Sequence, residues 1–210
     1  MPEPPSPQPV DAERFAEAVR FALQAHGNQY RKGSPAPFVT HPVAVAGILA
    51  QYGCSEAVVL AAVLHDVLED TPVTAEELEA HFGPRVTALV QAVTEVKTIA
   101  GRPVPWEERK ASQLAHLQAT DDLEAVLLKA ADVLHNVTTI IRDLRLRGHA
   151  TWSRFRRGAT DQLRYYRRVA EVLGERLGNH PLAAELKAQV EELHLEAARA
   201  ARGPSPTPPS

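Results

Sequence analysis

Apolar residues recur along the chain at the three-to-four-residue spacing of helices, and no stretch alternates convincingly in the manner of a strand. A first helix is predicted from about Asp11 to His26, with Phe15, Ala18, Ala22 and Ala25 on one face. A second starts after His41, with Pro42 in the first helical position and Gly53 ending it. SEAVVLAAVLHDVLED predicts a third, from Ser55 to about Glu69, stopped by Thr71-Pro72. Thr74 with Glu77 forms a capping box for a short fourth helix that ends at Gly83, and PRVTALVQAVTEV predicts a fifth. The polar, proline-bearing stretch from Lys97 to Pro105 reads as a loop, followed by a helix in WEERKASQLAHLQ. Asp121 with Glu124 caps a long helix, LEAVLLKAADVLHNVTTIIRDLR, and two more follow around Trp152 to Leu177 and Pro181 to Arg202. The expected fold is all-α, one compact multi-helix domain over residues 11–202. The proline-rich ends, residues 1–10 and 203–210, predict flexible tails that lack the apolar content to order themselves.

Composition narrows the function classes. The chain has 210 residues and a formal net charge of −3, so nothing calls for nucleic acid or an anionic membrane as partner. One cysteine, Cys54, excludes an internal disulfide and fits a reducing compartment. No apolar run approaches membrane-spanning length, and the N-terminus has neither a basic start nor an apolar stretch. A soluble cytoplasmic protein is expected, with its oligomeric state left open.

The third helix poses the chemical question. Its body is apolar almost all round, yet His65, Asp66, Glu69 and Asp70 fall within two turns. At 3.6 residues per turn these four positions share an arc of roughly 140°. Carboxylates packed together repel, and their sign is unfavourable at a helix C-terminus. A bound divalent cation resolves the conflict. His41, beside the start of the second helix, and Asp132, inside the apolar turn LLKAADVLHN, complete a set of two histidines and two aspartates. Such mixed N/O ligands suit Mn²⁺ or Fe²⁺ and are compatible with Zn²⁺.

His41, His65-Asp66 and Asp132 resemble the H…HD…D signature of the HD-domain phosphohydrolases. HDVLED is similar to the HDxxED motif of the RelA/SpoT-type hydrolase domain, which removes pyrophosphate from the alarmone (p)ppGpp. RKGSPAPFVTHPVAVAGIL, HFGPRVTALVQAVTEVKT and LLKAADVLHN extend the likeness over roughly residues 12 to 175. It implies a bundle of about ten helices and one Mn²⁺ per chain, held by His41, His65, Asp66 and Asp132. Glu69 and Asp70 would orient and deprotonate the attacking water, and guanosine tetra- or pentaphosphate would be the substrate. Arg31 and Lys32 match the family's basic pair, Lys97 a lysine near the pyrophosphate and Thr139 a family threonine. Asn136, one turn from Asp132 on the same helix face, is a candidate ribose or phosphate contact. Tyr165 is a candidate lining residue of the pocket, a place where an aromatic at helical spacing is more often core. The length and the absence of synthetase motifs imply a stand-alone hydrolase. Gly33, Val133 and Thr138 depart from the family pattern and bear on base recognition. His26, His81, His116 and His135 are expected to be structural, and Lys129 to balance Asp132.

Removal of the 2′-phosphate of NADPH is the alternative activity, since it would use the same site. A di-iron oxygenase would need further ligands, and a non-catalytic sensor would be expected to lack a catalytic group. The tails generate a separate prediction. Deleting residues 1–10 and 203–210 together should leave turnover and melting temperature nearly unchanged, and a large drop in either would show that a tail docks on the domain.

Overall fold

The computed structural model describes residues 9–202, and among them helices dominate. The expected tails lie outside the described residues except for Pro9 and Val10. The chain divides into two compact units, Met1–Asp132 and Val133–Ser210, with the division inside one helix.

The first unit begins with α1 (Ala12–His26), whose N-cap Asp11 accepts from the main-chain N–H groups of Glu13 and Arg14 at 2.9 and 3.0 Å. Then come α2 (Thr40–Gln51), α3 (Glu56–Leu64), α4 (Val67–Asp70), α5 (Ala75–Phe82) and α6 (Pro84–Val93). The order closes with α7 (Trp106–Ala119) and the first turns of α8 (Leu123–Arg147). Helix α3 is the centre of this unit: Val58 through Leu64 are at most 1% exposed, and α1, α2 and α6 all pack against it. Each of its large side chains removed from water contributes on the order of 1.5–3 kcal/mol.

Three local expectations are corrected. The segment between α6 and α7 is not all loop. It contains two-residue strands, β1 (Thr98–Ile99) and β2 (Arg102–Pro103), paired antiparallel across Ala100-Gly101. Both turn residues have positive φ, 49° and 75°, the conformation a tight hairpin demands. Such a ribbon is too short for period-two alternation to show. Second, α2 starts at Thr40 rather than after His41. Hydrogen bonds from Thr40 and His41 N–H back to Pro37 and Phe38 C=O have already wound the chain. Third, the capping carboxylate of α8 is that of Asp122. Its Oδ1 accepts from the N–H groups of Glu124 (3.1 Å) and Ala125 (3.4 Å), because the helix begins at Leu123.

The second unit holds the rest of α8, a 3₁₀ segment (Gly148–Arg154), α9 (Ala159–Leu177) and α10 (Pro181–Ala201). Trp152 lies in the 3₁₀ segment and not in the helix predicted from it, since α9 starts only at Ala159. Helices α9 and α10 pack together around Val169, Val172, Leu173, Leu186, Val190 and Leu193. Arg154 is ion-paired with the buried Asp143.

Asp122 also receives both guanidinium ends of Arg85, at 2.6 and 2.9 Å, and this partner holds its carboxyl below the ordinary value. Asp122→Ala should therefore destabilise the protein by about 1–2 kcal/mol, the usual cost of losing such a cap, while Asp121→Ala should be nearly neutral. The depressed carboxyl stabilises fully above its unfolded-state pKa, so the gap between wild type and Asp122→Ala should shrink as pH falls through the lower folded value. Urea melts at neutral and acid pH measure both. Equal effects of the two substitutions would refute the reassigned cap.

Candidate metal centre and active site

Helix α3 ends at Leu64, and His65 and Asp66 form a turn before α4 begins at Val67. The single helix expected from Ser55 to Glu69 is thus broken at the histidine–aspartate pair. Asp66 sits near the bridge region (φ −93°, ψ −6°), and the Asp70 N–H bonds back to its C=O at 2.9 Å to start the next turn. Leu64 and Val67 on either side are fully buried, so the apolar pattern runs through the break unchanged.

Four side chains converge here. His41 Nε2 lies 3.2 Å from Asp132 Oδ1 and 3.8 Å from Asp66 Oδ2. His65 Nε2 lies 3.3 Å from Asp66 Oδ1 and 3.8 Å from Asp132 Oδ1. One donor atom each from His41, His65 and Asp132 falls within a 4.8 Å group, and all three residues are buried. His65 Nδ1 donates to the Ala62 carbonyl at 2.8 Å, which fixes the ring and leaves Nε2 as the unprotonated nitrogen. That Nε2 is buried and makes no hydrogen bond. A lone pair without a donor, beside two carboxylates, fits a cation held among these groups.

The electrostatics agree. Burial pushes the His41 imidazole down to about 3, against the opposing pull of Asp132. Burial raises the Asp66 carboxyl to about 6; His65 opposes this, and the carboxylates of Asp132, Glu69 and Asp70 add to it. Burial alone would also raise Asp132, but Lys129, His41 and His65 outweigh it and hold this carboxyl well below the usual range. Lys129 Nζ donates to Asp132 Oδ2 at 2.8 Å and is itself buried, as its expected balancing role requires.

Glu69 and Asp70 lie one turn on, at the end of α4. Lys97 Nζ is 3.1 Å from Glu69 Oε1 and also pairs with Asp70 Oδ1. Glu69 Oε2 accepts the Glu95 main-chain N–H at 3.1 Å. Arg31 and Lys32 stand in a loop closed by Tyr30 and Pro37; the Arg31 guanidinium is 5.9 Å from the Phe38 ring centre, and its charge further disfavours protonated His41. Asn136, Thr139 and Tyr165 belong to the second unit. There the Thr139 hydroxyl donates to the His135 carbonyl at 2.8 Å, and the Tyr165 and Tyr166 rings lie 5.4 Å apart.

Two groups of supporting residues escaped the sequence reading. Gln29 accepts from His26 Nδ1 (3.1 Å) and donates to the Asp70 carbonyl (3.0 Å), tying the end of α1 to the end of α4. His26 is buried and stacked at 4.5 Å on Phe38, a structural place as expected. Glu95, Arg109 and Lys110 form the other group; the fifth helix, predicted through Val96, ends at Val93, so Glu95 lies beyond it, opposite two cations of α7.

Comparison with known proteins places this geometry in a family. The family model described as HD domain matches residues 18–159. The bifunctional (p)ppGpp synthase/hydrolase SpoT of Escherichia coli K12 is 34% identical over 88% of this chain, which spans 24% of that protein, about a quarter of its length. The guanosine-3′,5′-bis(diphosphate) 3′-pyrophosphohydrolase MESH1 of Xenopus tropicalis is 40% identical over 68% of this chain and 76% of its own. Among solved structures, a metazoan ortholog of SpoT described as hydrolysing ppGpp aligns with a TM-score of 0.68 at 29% identity, covering 93% of this chain and 99% of that one. The chain belongs to the HD domain family and groups with the guanosine-3′,5′-bis(diphosphate) 3′-pyrophosphohydrolases.

Proposed function

We propose that this protein is a Mn²⁺-dependent hydrolase of guanosine 3′,5′-bis(diphosphate) and its pentaphosphate form, releasing pyrophosphate and leaving GDP or GTP. The carrying observation is the buried His41, His65 and Asp132 group, with Asp66 beside it and a Glu69–Asp70 pair one turn away, in a chain whose relatives bear the name of that activity. His41, His65, Asp66 and Asp132 would hold the cation. When bound, it lowers the pKa of a water and polarises the phosphoryl group under attack.

The remaining roles belong to the chain's own residues. Glu69 and Asp70 orient and deprotonate the water that attacks the 3′-phosphorus, whose bond to the ribose oxygen breaks as pyrophosphate leaves. Lys97, already beside both carboxylates, supplies positive charge toward the pyrophosphate. Arg31 offers a planar guanidinium to the purine and Lys32 a point charge to phosphate. For Asn136, Thr139 and Tyr165, the role of nucleotide contacts rests on the sequence alone. No helix among the described residues is long and apolar enough to cross a membrane.

The direct test incubates the protein and Mn²⁺ with ppGpp, pppGpp and NADPH, resolving products by anion exchange. Pyrophosphate from the guanosine nucleotides is expected; phosphate release from NADPH alone would transfer the site to the alternative substrate. Chelation should abolish turnover and Mn²⁺ restore it. His65→Ala should lose both bound metal and activity, and full activity of verified metal-free protein would sink the metal assignment.

Glu69→Gln and Asp70→Asn separate catalysis from binding. Both should retain near-stoichiometric Mn²⁺ and nucleotide affinity while turnover falls by about 10²–10⁴-fold, the typical worth of a general base. Near-normal turnover in both would reduce the pair to a helix end.

A further inference from the structure

The chain that leaves α6 touches the proposed catalytic pair twice, through the Glu95 N–H to Glu69 Oε2 at 3.1 Å and through Lys97 to both carboxylates. Lys97 does so with a flexible, half-exposed side chain. Glu95 does so with its main chain, and its own side chain is only 6% exposed. That buried carboxylate lies between two cations of α7, with Arg109 Nη1 2.9 Å from one oxygen and Lys110 Nζ paired with the other. Burial alone would raise the Glu95 carboxyl, but Lys110, Lys129 and Arg109 outweigh it, so it stays ionised. A partly buried trio of charges is weak evidence for stability, because well-packed apolar residues often serve as well. The trio does fix where residue 95 sits, and with it the donor aimed at Glu69.

We propose that Glu95 is a positioning residue for hydrolysis: its ion pairs with Arg109 and Lys110 anchor the main chain whose N–H holds the Glu69 carboxylate in its working orientation. The inference rests on the reading of Glu69 as a group that orients and deprotonates the water. Glu95 touches neither water nor nucleotide in this role and acts through Glu69 alone. Releasing the anchor lets residue 95 shift, and a displacement of an ångström at a reacting group costs up to about 100-fold in rate.

The test is a double-substitution cycle in full-length protein. Glu95→Gln and Lys110→Met cut the same anchor from its two sides, each alone and combined with Glu69→Gln. Melting temperature, bound Mn²⁺, KM and kcat are measured on every preparation. Each single variant should lower kcat by about 10- to 100-fold, with KM and metal content close to wild type. In the Glu69→Gln background neither should lower kcat further, because the group through which they act is already disabled. Multiplicative losses in both backgrounds would overturn the proposal, as would normal kcat in both folded single variants. Failure of both to fold would assign the trio to stability and overturn it equally. If Glu69→Gln itself turns over normally, it is the underlying reading of Glu69 that fails, a result distinct from additivity.

Discussion

Two carboxylates, Asp66 and Asp132, are fixed within 3.8 Å of the buried imidazoles of His41 and His65. Everything else about the site follows from that constraint. A protonated His41 would offset one of the acids, but burial holds its imidazole down to about 3, and His65 Nδ1 is committed to the Ala62 carbonyl. Charge compensation must therefore come from elsewhere. Lys129 supplies part of it, a buried ammonium bonded to the far oxygen of Asp132. The apolar wall of α3 keeps the local dielectric low, which strengthens each of these interactions and makes any uncompensated charge costly.

The break between α3 and α4 is the backbone's answer to the same constraint. Val58 to Leu64 need an unbroken helix to bury their side chains against α1, α2 and α6. Asp66 needs to stand beside His65 Nε2, and Glu69 and Asp70 need to reach Lys97 and the Glu95 N–H. A two-residue turn reconciles these demands. It costs little in burial, since Val67 is still fully covered, and starts a short helix whose last residues carry the second pair of acids. Gln29 then ties the Asp70 carbonyl to the end of α1.

Much of this was legible in the sequence. The helical fold class follows from the apolar spacing, and His65 and Asp66 are conspicuous as polar groups in an apolar helix. His41 and Asp132, which the structure brings beside them, are marked by their places in HP and KAAD. What was not legible shares a physical cause. The break at His65-Asp66 leaves the apolar spacing intact, so periodicity is blind to it. The α8 cap moved from Asp121 to Asp122 because the choice turns on where one hydrogen-bond ladder begins, and both positions carry the same side chain. Glu95 hides for another reason: its contribution to Glu69 is a main-chain N–H, which every residue but proline owns, and its buried ion pairs join residues 14 and 15 apart across an intervening hairpin.

The ion pairs themselves carry the last step. Four carboxylates, those of Asp66, Asp132, Glu69 and Asp70, meet two lysine charges, Lys129 on Asp132 and Lys97 shared by Glu69 and Asp70. Asp66 is left to the two imidazoles, and it is the carboxyl that rises to about 6 through burial, with the neighbouring acids adding to the rise against His65. The residual negative charge is thus concentrated where the unpartnered nitrogen of His65 also lies. A divalent cation matches both the charge deficit and the lone pair, whereas a monovalent ion or a proton would satisfy only one. The same deficit explains why Glu69 needs an anchored donor: a carboxylate among like charges drifts toward the nearest cation, and a main-chain N–H set by the buried Glu95 pairs holds it where a flexible lysine alone would not.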